Sequence, residues 1–140
     1  MSKQENQAIL GKFAEAAGTG KYELFDEVVA ADSVDHDPAP GQVAGPDGYR
    51  LVFTELHTAF SDMKIELATA VADEDSIAFA YTLTGTHTGP YLGIPGTGKS
   101  VKVRGMQISK FKDGKMVERW GSTDQLGILQ QIGVTEVPKA

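Results

Sequence analysis

The stretch that decides the fold is RGMQISKFKDGKMVERWGSTDQLGILQQIG, residues 104–133. It reads as two strands joined by a turn over residues 112–115, whose Asp-Gly pair is a strong hairpin signal. The second strand covers residues 116–123 and ends at Asp124, where a short closing helix over residues 125–132 begins. A glycine follows that helix, as is common at helix ends. The sequence therefore predicts a strand, a tight turn, a strand and a helix.

The predicted hairpin arranges several chemically useful side chains. If the Asp-Gly pair is a two-residue loop, Gln107 lies opposite Trp120 and Gly105 lies opposite Ser122. Trp120, Ser122 and Asp124 are two residues apart and share one strand face. An aromatic wall, a hydroxyl, an amide and a carboxylate, with a gap at Gly105, suit a small-molecule pocket. We predict that Asp124 is its acid or base.

Asp124 has a second interpretation, as the cap of the closing helix, because aspartate is a favoured residue at that position. An apolar pocket would raise its pKa, whereas the positive end of the helix would lower it. If burial dominates, Asp124 can exchange protons near neutral pH. The sequence leaves both interpretations open.

Composition narrows the class of protein. The chain of 140 residues is 41% apolar and 23% charged, which is typical of one globular domain over residues 1–140. A net charge of −6 argues against nucleic acid or an anionic membrane as partner. Cysteine is absent, which excludes disulfides and thiol nucleophiles. The polar start MSKQENQ is unlike a signal peptide, and no apolar run is long enough to span a membrane, so we expect a cytoplasmic protein.

The periodicity of apolar residues changes along the chain. Three helices are predicted in the first 60 residues, and Phe53 belongs to the apolar stripe of the third. After residue 62 the period falls to two, which predicts four strands. This order indicates an α+β fold in which a curved antiparallel sheet wraps around three N-terminal helices and leaves a cavity at its open end.

The histidines are weaker candidates. His36 lies in an irregular segment, residues 32–40, where functional residues often concentrate, so we predict that it lines the pocket. His87 ends a strand in a glycine-rich stretch and either contacts the ligand or makes a loop hydrogen bond. No histidine spacing matches a metal site, so no metal is expected.

Residues 93–100, GIPGTGKS, match the phosphate-binding loop pattern letter for letter. That loop works only between a strand and a helix whose N-terminus holds the phosphates. Here a strand is predicted to follow the motif. Nucleotide binding is therefore disfavoured, and a glycine-rich loop at a pocket mouth is expected instead.

Three segments together resemble SnoaL-like polyketide cyclases. The chain has GTHTG at residues 85–89, followed by LGIP and TG, and it has DGKMVERW at residues 113–120, followed by Asp124 and LGILQQIG. AFSD at residues 59–62 resembles the family's step before the first long strand. The resemblance covers nearly the whole chain and implies the α+β cone of nuclear-transport-factor-2-like proteins, assembled as a homodimer or homotetramer.

The resemblance also implies a reaction. In the cyclases the aspartate that matches Asp124 is the acid/base of an intramolecular aldol ring closure, without metal or cofactor. A histidine of the partner strand is replaced here by Gln107, which donates a hydrogen bond but cannot take a proton. His36 is a candidate to supply the lost group.

We therefore expect an enzyme that performs cofactor-free acid/base chemistry, of aldol or isomerisation type, on a hydrophobic carbonyl or polyketide-like compound. Asp124, Gln107 and His36 are the predicted catalytic residues. The predicted substrate contacts are Trp120, Ser122, His87 and Phe53. The alternative is a non-catalytic module of the same fold that binds an apolar small molecule.

Overall fold

A computed structural model describes residues 2–136 of the chain. Its helices and strands confirm the predicted α+β class. In chain order they are α1 (Lys3–Thr19), α2 (Leu24–Val28), β1 (Val29–Asp35), α3 (Pro46–Ala59), β2 (Lys64–Ala72), β3 (Ser76–Thr86), β4 (Ser100–Lys112), β5 (Lys115–Thr123) and α4 (Gln125–Gln131).

The helix ends follow local signals in the sequence. The Ser2 hydroxyl accepts a hydrogen bond from the Glu5 backbone N–H at 3.1 Å and caps α1. Gly20, with φ of 80°, ends the same helix in the left-handed region that favours glycine. Pro46 opens α3, where its fixed φ fits and its missing N–H costs nothing.

One sheet contains all five strands in the order β1-β5-β4-β3-β2. The four strands predicted from alternation pair antiparallel, whereas β1 adds a parallel edge beside β5. The irregular segment predicted over residues 32–40 is therefore partly a strand. The sequence Val-Ala-Ala-Asp-Ser-Val-Asp lacks clear alternation, and β1 forms because β5, more than 80 residues away, offers it a free edge.

The two faces of the sheet differ in their contacts. The inner face packs on the helices, and odd-numbered residues of β4 point to it and are buried, while even-numbered residues point to the outer face and are exposed. Two apolar clusters fill the space between the inner face and the helices. The first contains Phe13, Phe25, Tyr49, Ile77 and Phe111, and the second contains Phe60, Tyr81, Leu83, Val103 and Ile128.

The β4–β5 hairpin contains an irregularity that alternation did not reveal. Its loop is the predicted two-residue turn, with Asp113 and Gly114 both at positive φ and Lys112 paired with Lys115. Between the pairs Phe111–Met116 and Lys110–Glu118, however, Val117 is an additional residue on β5, a β-bulge. Beyond Val117, each residue of β4 therefore pairs with the β5 residue one position later than in the predicted register.

Candidate functional site

The bulge at Val117 reverses the predicted facing of β5. Gln107 pairs with Gly121 rather than Trp120, so the predicted register is wrong beyond the first two pairs. A shift of one residue moves each side chain to the opposite face. Arg119 consequently faces inward with Gln107, while Trp120 and Ser122 face outward. The predicted common face of Gln107, Trp120 and Ser122 does not exist.

A buried polar network lies on the inner face instead. The Arg119 guanidinium donates through Nη1 to Asp35 Oδ1 and Oδ2, at 3.2 and 3.0 Å, and through Nε to Gln107 Oε1 at 2.8 Å. Gln107 Nε2 in turn donates to Ser109 Oγ at 2.9 Å. The Arg119 and Asp35 side chains are 16% and 6% exposed. We call these four residues the inner polar network.

Asp35 is held from several directions. Besides Arg119, it accepts hydrogen bonds from Gln42 Nε2 at 3.1 Å and from the Asp37 backbone N–H at 2.9 Å. A buried carboxylate is stable as an ion only with such partners. Both carboxylate oxygens of Asp35 therefore have hydrogen-bond partners within the protein.

Tyr49 of α3 adjoins this network. Its ring packs in the first apolar cluster, and its buried hydroxyl makes no hydrogen bond of ordinary length but interacts with the Asp35 carboxylate. Burial first, and the Asp35 charge second, raise the pKa of Tyr49 well above its usual value. The hydroxyl therefore stays protonated at physiological pH.

Two glycines control the space around the network. A Cβ on Gly121 would lie within 2.4 Å of Arg119 Nη2, so the missing side chain is what admits the guanidinium. A Cβ on Gly105 would lie within 2.3 Å of the Tyr81 hydroxyl. The gap predicted at Gly105 is thus filled by the Tyr81 ring, and the Tyr81 hydroxyl is hydrogen-bonded to Thr123 Oγ1 at 2.6 Å.

Asp124 lies outside this network. It is exposed, and its Oδ1 accepts a hydrogen bond from the Gly127 backbone N–H at 2.8 Å, which caps α4. Of the two interpretations of this residue, the structure directly displays the capping role. The dry environment predicted for its carboxylate is absent, and its role as acid or base stays a prediction.

His36 and Trp120 meet on the outer face rather than inside the fold. Their rings stack at 4.5 Å with an interplanar angle of 10°, and His36 Nε2 lies 3.9 Å from Glu118 Oε2. Ser122 is exposed on the same face. A groove of about 580 Å³ crosses this face, which we call the outer groove. The side chains along its walls are those of Ala78, Ala80, Met106, Ile108, Trp120 and Ser122.

The two remaining predicted contact residues lie on the helix side of the sheet. His87 is fully buried, and its Nδ1 accepts from the Thr97 backbone N–H at 3.2 Å, so it makes the loop hydrogen bond considered in the sequence. Phe53 is half-buried and contacts both apolar clusters. The motif of residues 93–100 runs directly into β4, so no helix N-terminus follows it and the phosphate-binding context is missing.

Asp35 and Arg119 were not among the site residues predicted from the sequence. The alternation of β5 correctly placed Arg119 on the face opposite Trp120. The regular register predicted for the hairpin, however, made that face the outer one. Asp35 was overlooked because it flanks His36 in a segment predicted to be irregular. No local signal in the sequence linked the two residues, because the pairing of β1 with β5 joins positions more than 80 residues apart.

Residues 2–136 contain neither a cluster of potential metal ligands nor a helix that could span a membrane. No three His, Asp or Glu side chains there converge as potential metal ligands. None of the helices in this part of the chain has the length and apolar character needed to cross a bilayer.

Comparison with known proteins identifies the family. The family model for SnoaL-like polyketide cyclases matches residues 7–132. The chain belongs to this family. Similar to it are two aklanonic acid methyl ester cyclases, DauD of Streptomyces sp. strain C5 and DnrD of Streptomyces peucetius. Each is 25% identical over 132 residues, which are 89% of this chain and 80% or 88% of the relative, respectively.

A solved structure shares the fold of this chain. TsrD from Streptomyces laurentii superposes with a TM-score of 0.87 at 25% identity, over 96% of this chain and 98% of that chain. The arrangement expected from the resemblance, a curved sheet around helices, is therefore confirmed.

Proposed function

We propose that this SnoaL-like protein is an enzyme that performs cofactor-free acid/base chemistry on a hydrophobic carbonyl compound, by an aldol-type ring closure or an isomerisation. The observation that carries the proposal is the inner polar network, in which an amide and an ion pair are held on the buried face of the sheet. Such a site can polarise a carbonyl group and stabilise the enolate that forms when a neighbouring carbon loses its proton.

Within this proposal Gln107 orients the carbonyl group, and a carboxylate exchanges the proton. Two carboxylates compete for that role. Asp124 is proposed from the family motif, and Asp35 is supported by its burial next to Arg119. Roles for His36, Trp120, Ser122, His87 and Phe53 in catalysis or substrate contact stay predictions.

The test is proton exchange, which needs no knowledge of the natural substrate. Apolar 1,3-diketones and keto esters are incubated in D₂O, and exchange at the activated carbon is followed by NMR. We expect exchange faster than in buffer alone. Its absence across the panel would overturn the enzymatic proposal.

Two matched variants assign the base. Asp124→Asn and Asp35→Asn each replace one carboxylate by an amide of the same shape. Loss of the base is expected to lower the exchange rate by about 10²–10⁴-fold. The variant that retains the wild-type rate excludes its residue from this role.

The alternative function is binding without catalysis. It is favoured by one observation, namely that the buried carboxylate Asp35 is already neutralised by Arg119 whereas Asp124 is exposed. A protein that binds the diketones tightly but exchanges none of their protons would support this alternative.

We further propose a cytoplasmic homodimer or homotetramer that associates through the outer groove. Met106 and Ile108 are 58% and 45% exposed there, on a face that also carries Lys110 and Glu118. A face with an apolar centre and charged residues of both signs can pack against the same face of a second copy of the chain. Light scattering should give a multiple of the chain mass, and Ile108→Glu should give the single-chain mass without unfolding the protein.

A further inference from the structure

Strand β2 is the least covered strand of the sheet. It ends the strand order, so β3 is its only strand partner within residues 2–136. All of its residues except the last are exposed, and Leu67 and Val71 are 66% and 71% exposed. The backbone N–H and C=O groups along a free edge can pair with a further strand. β2 therefore offers an open pairing edge that is nine residues long.

The sequence of β2 gives this edge little protection against pairing. Natural edge strands are usually guarded by charges, prolines or a covering segment. In β2 the two charged residues, Lys64 and Glu66, lie near its start, and residues 67–72, LATAVA, contain no charge, glycine or proline. Short uncharged segments of this kind pair readily with other strands. The second half of β2 is thus suited to a strand partner.

A β-bulge at Ala68 determines how β2 can pair with a copy of itself. Leu67 lies opposite Tyr81 of β3, whereas Ala70 lies opposite Phe79, so one residue of β2 is additional between these pairs. Tyr81 and Phe79 both pack in the second apolar cluster, so Leu67 and Ala70 share the inner face although they are three positions apart. A two-fold axis perpendicular to the sheet keeps the inner faces of both copies on one side, so inner residues must meet inner residues.

The register that meets this condition over the whole strand is self-complementary. Its pairs, each formed twice, are Ile65–Ala72, Glu66–Val71 and Leu67–Ala70, and Lys64 lies opposite Asp73 at both ends. Each large inner side chain meets an alanine, which leaves room for both to pack. Lys64 and Asp73 carry opposite charges, and no like charges lie opposite each other. Shape and charge therefore favour β2 of a second copy as the partner strand.

We infer that β2 pairs antiparallel with β2 of a second copy and joins the two five-stranded sheets into one continuous sheet. The inference rests on the proposed association through the outer groove, because a single edge contact buries too little surface to hold two copies together. In a tetramer with perpendicular two-fold axes, two outer-groove dimers meet through two β2 contacts at once. The second contact is then effectively intramolecular, so the two contacts together are much stronger than one. The chain is accordingly a homotetramer.

Light scattering at micromolar concentration tests the β2 contact. Wild-type protein should have four times the mass of the chain. Leu67→Lys places a charge in the contact and should halve that mass, and its melting temperature should stay close to the wild-type value because Leu67 is already exposed. The control Leu92→Lys makes the same change at a leucine of similar exposure, 57%, outside β2 and the outer groove, and should keep the fourfold mass.

Cysteine pairs test the register independently of mass. The natural chain contains no cysteine, so introduced thiols are the only ones present. In Leu67→Cys/Ala70→Cys the two thiols lie opposite each other across the contact, within the distance that a disulfide needs. Oxidised glutathione should therefore link two chains covalently, as a non-reducing gel would show. In the control Glu66→Cys/Ala70→Cys the thiols lie on opposite faces, and the linked product should be lost.

The outcomes separate this inference from the association through the outer groove. If Leu67→Lys keeps the wild-type mass, or if the two cysteine variants link equally, the β2 contact is overturned. A twofold wild-type mass that Ile108→Glu, but not Leu67→Lys, reduces to the chain mass leaves only the outer-groove association. A twofold mass that only Leu67→Lys reduces retains the β2 contact and removes the outer groove as an interface. A wild-type mass equal to that of one chain overturns both.

Discussion

Midway along the β4–β5 hairpin the inner face is polar and the outer face is apolar, which is the reverse of the usual arrangement on a sheet. On the inner face Gln107, Ser109 and Arg119 form a polar network, although that face is buried against helices. On the outer face Ile108 and Trp120 are apolar, although that face is open. The difference teaches that alternation identifies two faces but does not identify which of them is the core.

The largest expected effect comes from breaking the ion pair of the inner face. Arg119→Met leaves the Asp35 carboxylate buried without its cation, which should lower the free energy of unfolding by about 3–5 kcal/mol. The double variant Asp35→Asn/Arg119→Met removes both charges, so its free energy of unfolding should fall clearly less than that of Arg119→Met. Urea denaturation measures both variants, and equal losses would show that the pair is not coupled.

A smaller effect is expected where Gly121 admits the guanidinium. Gly121→Ala places a Cβ within 2.4 Å of Arg119 Nη2, so the hydrogen bonds to Asp35 and Gln107 weaken and stability falls by about 2 kcal/mol. Gly11→Ala is the control, because the added Cβ meets nothing within 4 Å in α1 and should stabilise the protein by roughly 0.5–1 kcal/mol. A neutral Gly121→Ala would mean that Arg119 moves freely.

Removing the buried Tyr49 hydroxyl should have a favourable effect on stability. Tyr49→Phe keeps the ring in the first apolar cluster and eliminates a buried hydroxyl that makes no hydrogen bond of ordinary length, which should raise the free energy of unfolding by about 1 kcal/mol. Loss of stability in thermal melts would indicate that the hydroxyl already has a partner in solution.

The smallest effect should come from a carboxylate that lies outside the inner polar network. Hydrogen bonds from the Thr86 backbone N–H and hydroxyl hold the pKa of the exposed Asp62 below its usual value. A lowered pKa means that this contribution is present above the unfolded-state pKa and is lost as pH falls through the folded-state value. Melting temperatures of Asp62→Asn and wild type should therefore differ at pH 6 and converge near pH 2.

Local sequence signals predicted most of the fold. The Asp-Gly loop, the Ser2 cap, Gly20 and the alternation in β3 and β4 each depend on neighbouring residues, so they can be read from the sequence. The strand β1 was missed because its pairing depends on β5, which is distant in the chain. Long-range partners of this kind leave no periodic signature.

The candidate site was predicted less well, for a related reason. Gln107 was correctly assigned to the interior of the fold, but Trp120, Ser122 and His36 were assigned to a face that points outward. One unpaired residue on β5 caused the error for Trp120 and Ser122. Nothing in the residue type of Val117 distinguishes a bulge from a regular strand position, since valine suits both.

The bulge at Val117 has a consequence for any comparison of protein sequences in this hairpin. The one extra residue moves the side chain of every later residue of β5 to the opposite face of the sheet. Deleting Val117 would turn the indole of Trp120 toward the helices and the guanidinium of Arg119 toward solvent, with the chain otherwise unchanged. Roles in the site can therefore be transferred between relatives only when both hairpins carry the same number of residues between the turn and the site.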